Sequence, residues 1–173
     1  MVKVKWFDRN FDFSFTDNIF PSIIEGLTAT PLKLEEKVNL LPNIILELVI
    51  DNAWSIKENI GHLIDLETLW QGRLEDIIHG EIELRPADLQ NQQTHDANHN
   101  AKPLSELLEA FKQIRLKTIS LIRVLDDETI FKSALHPRLK TPMRTMDLFF
   151  FVAEHDDHHL ARIDELIRIN YNT

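Results

Sequence analysis

The sequence predicts an all-α protein, a four-helix bundle in one domain over residues 1–173, and three observations carry that expectation. Glycine is scarce, with 4 in 173 residues. Apolar residues recur at spacings of three and four over long stretches, as one buried helix face requires. The breaks between those stretches are short and contain proline.

The first helix is expected from about Ile19 to Leu41, entered near Pro21, with Ile23, Ile24, Leu27, Leu34, Val38 and Leu41 turned inward. Pro31 is placed to kink or split it and Pro42 to end it, because proline lacks an amide hydrogen and crowds the preceding turn. The second helix starts at Ser55, where Ser-Ile-Lys-Glu (Ser55 to Glu58) has the form of a capping box, and runs to about Gly80. Arg85 to Lys102 is polar and rich in Asn and Gln, so it reads as a long connection between helices 2 and 3, of a length that often carries function. A third helix follows from Pro103 to about Leu125. The fourth opens at Thr141-Pro142, with the hydroxyl residue as N-cap and proline at the first helical position, and continues to about Ile169.

Composition narrows the chemistry. The chain has no cysteine, which excludes disulfides, thiolate metal ligands and a cysteine nucleophile and leaves imidazole, carboxylate and water to build any metal site. A formal charge of −9 without clustered Lys or Arg argues against nucleic acid as a partner. No apolar run approaches the roughly 20 residues of a membrane helix. The segment Met1 to Phe13 mixes Lys3, Lys5, Asp8 and Arg9 with aromatics, unlike a signal peptide. A cytoplasmic protein with no membrane partner is expected.

The histidines stand out against this background. Along the fourth helix Leu148, Val152, His155, His159, Ile163 and Leu166 follow spacings of three and four, so two histidines occupy positions where aliphatic residues belong. One turn apart on one face, both imidazoles can reach a single ion, although spacing alone leaves hydrogen-bonded core histidines equally open. His158 lies about 120° from that stripe, toward Glu154 and Asp147, and reads as a surface residue or a support to the pair. On the second helix the apolar stripe runs through Ile56, Ile60, Leu63, Trp70, Leu74 and Ile77, and His62 sits at its edge beside Leu66 and Leu69, able to face a neighbouring helix. Taken alone, His62 reads as a satisfied core or surface histidine. Glu67 falls near the middle of the stripe, about 140° around from His62, so it does not share an ion with it. As a buried carboxylate it needs a partner, Arg115 or Arg123. His95 and His99 repeat the i, i+4 spacing inside the polar connection and are expected in solvent, with the mouth of a site as the alternative. His79, near a helix end, and His136, in a Pro-flanked loop, read as surface or capping residues.

Other constellations are missing. There is no His-Glu-x-x-His motif, no Gly-rich phosphate loop and no Gly-x-Ser-x-Gly elbow. The two Glu-x-x-His repeats of a di-iron bundle are also lacking, so one metal with histidine ligands fits better.

The chain resembles the DinB/YfiT-like superfamily, four-helix bundles with a three-histidine divalent metal site. The resemblance runs over nearly the whole chain. It rests on Thr-Pro-Leu-Lys-Leu-Glu-Glu-Lys-Val (Thr30 to Val38), Trp-Ser-Ile-Lys-Glu-Asn-Ile-Gly-His-Leu (Trp54 to Leu63) and Ala-Glu-His-Asp-Asp-His-His-Leu-Ala-Arg-Ile (Ala153 to Ile163), the last two being the more specific. The family pattern is a Trp-Ser followed by a helix carrying one histidine, then His-x-x-x-His on the last helix; it maps onto His62, His155 and His159. The resemblance implies one divalent ion, nickel or zinc, on these three residues, with a coordination position left for water or substrate. It also implies fellow members that are thiol transferases using low-molecular-weight thiols such as bacillithiol, mycothiol-dependent isomerases, glutathione-type conjugating enzymes or metal-dependent hydrolases, and it makes a homodimer an expectation.

The expected function is therefore a metal-dependent thiol transferase or hydrolase acting on a small-molecule substrate, its nucleophile a metal-activated water or thiol. Asp156, Asp157 and His158 lie beside the ligands in sequence, where they can orient them or relay protons. The opposing expectation is a non-catalytic, metal-stabilised bundle or sensor with no open coordination position. A third keeps the histidines as hydrogen-bonded core residues of a helical interaction partner.

Overall fold

A computed structural model describes residues 6–171; Lys3 and Lys5 of the N-terminal segment lie outside them. Four long helices dominate: α1 (Phe20–Val38), α3 (Ile56–His79), α5 (Leu104–Ile122) and α7 (Thr145–Tyr171). Short helices α2 (Asn43–Leu46), α4 (Gln92–Asp96) and α6 (Asp127–Phe131) sit in the connections. The chief neighbour pairs are α1 with α5 and α7, and α3 with α5 and α7. Helices consecutive in sequence, α1 and α3 and then α5 and α7, therefore lie across the diagonals, and their connections must cross the ends of the bundle. No helix of the described residues is long and apolar enough to span a membrane.

Local signals explain most element boundaries. Both halves of the Ser55 capping box form: the Glu58 amide donates to Ser55 Oγ at 3.1 Å and the Ser55 amide to Glu58 Oε2 at 2.8 Å. Gly80 ends α3 in the left-handed region at φ 78°. Pro31 neither splits nor ends α1, which runs through it. The carbonyl that Pro31 cannot serve, that of Leu27, receives Arg115 Nη1 at 3.4 Å instead, so a neighbouring helix supplies the missing donor. Pro42 opens α2 as its N-cap rather than closing α1, which has already ended at Val38.

Two expectations fail on tertiary grounds. The fourth helix begins at Thr145, not at Thr141-Pro142: Pro142–Arg144 forms strand β2, paired antiparallel with β1 (Ser133–Leu135) so that Ala134 faces Met143 and both are buried. Hairpin pairing and burial of Met143 outweigh a local Thr-Pro start signal, and the Asp147 carboxylate caps the later start by accepting from the Arg144 amide at 2.9 Å. The polar connection is also more ordered than a loop, carrying α4 and a 3-10 turn at His99–Ala101. It lies tightly along α3 because two glycines there lack side chains. A Cβ at Gly61 would stand 2.1 Å from the His99 ring, and one at Gly72 2.0 Å from Arg85 Nη1. Arg85 is clamped in turn by the Asp76 carboxylate at 2.7–3.1 Å.

The core is divided. One apolar cluster gathers Phe20, Leu27, Trp70, Ile119, Phe149 and Val152; the other gathers Leu34, Ile60, Leu63, Phe111, Leu160 and Ile163. Between them every long helix contributes a buried polar residue: Thr30, His62 and Glu67, Arg115, and His155, Asp156 and His159. This polar waist is where the candidate site lies.

Candidate metal centre

The packing of α3 against α7 brings His62 beside His155 and His159. The ring centroids are 4.5 Å apart for His155 and His159, 4.9 Å for His62 and His159, and 5.3 Å for His62 and His155. One nitrogen from each ring lies within 4.8 Å of the other two, and all three residues are buried. Leu148, Val152, Ile163 and Leu166, the aliphatic members of the same α7 stripe, are buried with them.

Hydrogen-bond logic fixes the protonation of two rings. His62 Nδ1 lies 3.1 Å from Thr94 Oγ1, and that hydroxyl donates its one proton to Asp65 Oδ2 at 2.9 Å. Thr94 must therefore accept from His62, which places the proton on Nδ1 and a lone pair on Nε2. His159 Nδ1 lies 2.8 Å from Asn59 Oδ1, and Asn59 is oriented by its own amide, which donates to the Ser55 and Trp54 carbonyls at 2.7 and 3.2 Å. His159 Nδ1 thus also carries the proton and Nε2 the lone pair. That Nε2 is 3.2 Å from His155 Nε2, while His155 Nδ1 is buried without a partner among the described residues.

Burial keeps the rings neutral. Desolvation holds the His155 and His159 pKa values well below 6.5, with the neighbouring imidazoles adding to the effect. It lowers His62 to about 4, against a partial opposing pull from Asp65. Burial alone would raise the Asp65 carboxyl, but hydrogen bonds from His99 and Thr94 bring it below its ordinary value. Three neutral imidazoles that converge, two of them with the outer nitrogen tied to oxygen, are the donor set a borderline transition ion takes. The residues present fit such an ion.

The cluster lines a cavity of about 630 Å³ that reaches from Trp54 and Asn59 to Pro137 and Arg138. Its walls are aromatic. Trp54 packs on His62 at 4.5 Å, Trp6 meets His155 edge-on at 4.9 Å, and Trp70 lies 5.8 Å from His155. Trp6 belongs to an N-terminal segment held across α7 by Arg144, which donates to the Phe13 and Phe15 carbonyls at 3.0 Å each, and by an ion pair between Arg9 and Glu154.

The remaining sequence candidates separate. His158 is half-buried and lines the same cavity, edge-on to His159 at 5.3 Å. Asp156 turns its carboxylate to Arg115: both its oxygens accept from that guanidinium, whose Nε donates to Glu67 at 2.6 Å. Arg115 is thus the partner of Glu67, and Arg123 is exposed. Asp157 is exposed. His95 is exposed as expected, its ring 5.9 Å from that of Trp54. His99, expected in solvent, is 2% exposed and donates to Asp65 at 2.9 Å, because Gly61 admits its ring against α3. His79 is exposed in the last turn of α3. His136 overturns the surface expectation: it is buried and lines the cavity together with Arg73 and Arg138.

Sequence reasoning missed Asn59, Asp65 and Thr94 as the residues that hold the rings. Asn59 had a signal, since it lies one turn before His62 in a stretch of otherwise apolar inward positions. Thr94 and Asp65 had none.

Comparison with known proteins agrees with the geometry. Residues 22–163 match the family model of the DinB superfamily. YfiT of Bacillus subtilis (strain 168), named "Putative metal-dependent hydrolase YfiT", is 24% identical over 147 residues, 84% of this chain and 82% of that protein. The solved structure of YfiT from Bacillus subtilis, described as a probable metal-dependent hydrolase with an unusual four-helix bundle topology, matches with a TM-score of 0.81 at 22% identity over 92% of each chain. With the family match covering residues 22–163, the chain belongs to the DinB superfamily.

Proposed function

We propose that this protein is a metal-dependent hydrolase or low-molecular-weight thiol transferase in which His62, His155 and His159 hold one divalent ion, nickel or zinc, with a coordination position facing the cavity. One observation carries the reading. Two buried, neutral imidazoles are locked with their Nε2 lone pairs turned inward beside a third, at the wall of an aromatic cavity of about 630 Å³. A structural ion closed on all sides needs no such cavity.

When bound, the ion supplies Lewis acidity, lowering the pKa of a water or thiol nucleophile and polarising the substrate's acceptor atom. The protein's own groups do the rest. Asn59 holds His159, and the Thr94–Asp65–His99 chain holds His62, in the one tautomer that presents Nε2. Trp6, Trp54 and Trp70 exclude bulk water and give an apolar substrate its binding surface. His158, half-buried at the same wall, is placed to move a proton between cavity and solvent.

Elemental analysis of untagged protein purified without added metal tests the ligand set. Near-stoichiometric nickel or zinc in the wild type and none in folded His155→Ala and His159→Ala is expected. A wild type that neither contains metal nor takes it up on reconstitution would overturn the reading. Ester hydrolysis and thiol conjugation, assayed on the loaded protein, then separate the two reaction classes.

A further inference from the structure

The far end of the cavity holds hydrogen-bond donors without an acceptor. His136 Nδ1 receives two backbone amides, those of Arg138 at 3.2 Å and Leu139 at 3.1 Å, while its Nε2 faces Arg73 Nη1 at 3.2 Å. A neutral imidazole has one proton, and donors approach both of its nitrogens. Whichever nitrogen carries the proton, one N–H is left against another. With two amides on Nδ1, the proton belongs on Nε2, pointing at a guanidinium N–H. Arg138 Nη2, a third donor, is buried with no partner among the described residues.

The charges are equally open. Among the described residues neither Arg73, 2% exposed, nor Arg138 has a carboxylate within salt-bridge distance. Each guanidinium lies over an aromatic ring instead, Arg73 over Trp70 at 5.5 Å and Arg138 over Phe7 at 5.3 Å. In a chain of formal charge −9, the described residues line this cavity with three arginines and one carboxylate, the exposed Asp88. Arg162 is already paired with Glu165 at 2.7 Å. Arg73 Nε donates to the Arg85 carbonyl at 3.1 Å and Arg138 Nη1 to the Phe7 carbonyl at 3.5 Å, and Asp76 attracts Arg73 without contacting it, so among the described residues both guanidiniums lack a carboxylate in contact. Buried cations and donors left without an acceptor are costly, unless something that enters the cavity supplies one.

We propose that Arg73, Arg138 and the Nε2–H of His136 form a carboxylate-binding subsite, so that the substrate is a small organic acid with an apolar or aromatic body. Its carboxylate docks in this corner, its body lies along Trp70 and Phe151, and its reacting group reaches the three histidines. Trp70 is in contact range of both ends, 5.8 Å from the His155 ring and 5.5 Å from Arg73 Cζ. A planar monoanion suits the fork of a guanidinium, whereas a phosphate dianion is costlier to desolvate between Trp70 and Phe7. The role of the reacting end rests on the metal reading above; the carboxylate end does not.

Isothermal titration with 3-phenylpropanoate and its neutral amide, 3-phenylpropanamide, tests the subsite on protein as purified and after chelation. The acid should bind at least about tenfold more tightly than the amide, as a charge-assisted hydrogen-bond pair implies. That preference should survive chelation and fall below about threefold in Arg138→Gln, while Arg138→Lys, which keeps the charge, restores part of it. Arg138 is only half-buried, so its variants remain informative even where Arg73→Gln fails to fold. Equal binding of acid and amide, no binding of the acid, or a preference that persists in Arg138→Gln would overturn the proposal. So would a preference lost on chelation, since the acid would then sit on the metal. A wild type without metal that still prefers the acid would sink the proposed function and leave this subsite standing.

Discussion

Two groups of buried polar side chains share the waist of the bundle, and they differ in how completely they satisfy one another. In the first, Arg115 donates to Glu67, to both oxygens of Asp156 and to the Leu27 carbonyl, while Thr118 donates to the other Glu67 oxygen and accepts from Gln71 at 3.0 Å. This network draws on all four long helices and closes on itself. In the second, His62 and His159 are braced from outside while His155 Nδ1 has no partner among the described residues, and the inner nitrogens face each other and the cavity. Burial raises the Glu67 carboxyl against the pull of Arg115, and it depresses all three imidazoles, so both groups bear a desolvation cost. The first offsets it with internal hydrogen bonds; the second needs a ligand. Closed polar contacts specify the fold, and open ones mark the place where something binds.

The sharpest way to break this contrast is to remove one member of each group and measure both stability and metal. His155→Ala should abolish stoichiometric metal while changing metal-free urea stability by no more than about 1 kcal/mol, because it deletes a buried polar group with an unpaired nitrogen. Arg115→Met should do the reverse. It strands two buried carboxylates, at a cost of roughly 3–5 kcal/mol, and whatever remains folded should still take up metal. Equal losses of stability in the two variants would erase the distinction.

Acid should act on the open group. A histidine held neutral in the fold by burial, at about 4 for His62 and well below the ordinary 6.5 for His155 and His159, leaves the unfolded state binding more protons between the folded and the ordinary value. Its share of stability is complete above about pH 6.5 and declines as pH falls toward 4, at roughly 1.4 kcal/mol per pH unit for each such histidine. Urea unfolding of the metal-free protein at pH 7.5 and pH 5 should therefore show a steep loss, shallower in His155→Ala by one histidine's share. Identical pH slopes in wild type and variant would mean that these rings are not held neutral.

Much of the architecture is legible in the sequence because its causes are local. The Ser55 capping box, the glycine after His79 and the i, i+4 histidines in an aliphatic stripe each announce a backbone or packing state within one turn of themselves. The pairing of Glu67 with an arginine follows from the helical wheel, although only the packing of α5 selects Arg115 over Arg123. What escaped depends on surfaces meeting at long range. The start of α7 at Thr145 is set by a strand partner ten residues upstream, and the burial of His99 by the absence of a side chain at Gly61, on another helix. His136 and Arg138 gain meaning only beside Arg73, which lies 63 residues from His136 in the chain.

A finer test of the same contrast leaves all three ligands in place and loosens what holds them. Asn59→Ala frees His159 Nδ1, so the ring can rotate and the competing tautomer, with its proton on Nε2, becomes populated; metal affinity should fall by about 10–100-fold. Thr94→Val removes the hydroxyl that accepts from His62 and donates to Asp65, and should cost less, about tenfold, because Trp54 still packs on the His62 ring at 4.5 Å. Thr118→Val serves as the control from the closed network: it should lower stability, since Glu67 and Gln71 both lose a partner, yet leave metal affinity unchanged. Competition with a chromogenic chelator measures all three. If Thr118→Val weakened metal as much as Asn59→Ala, the waist would be one coupled network, and the division into a structural half and a binding half would fail.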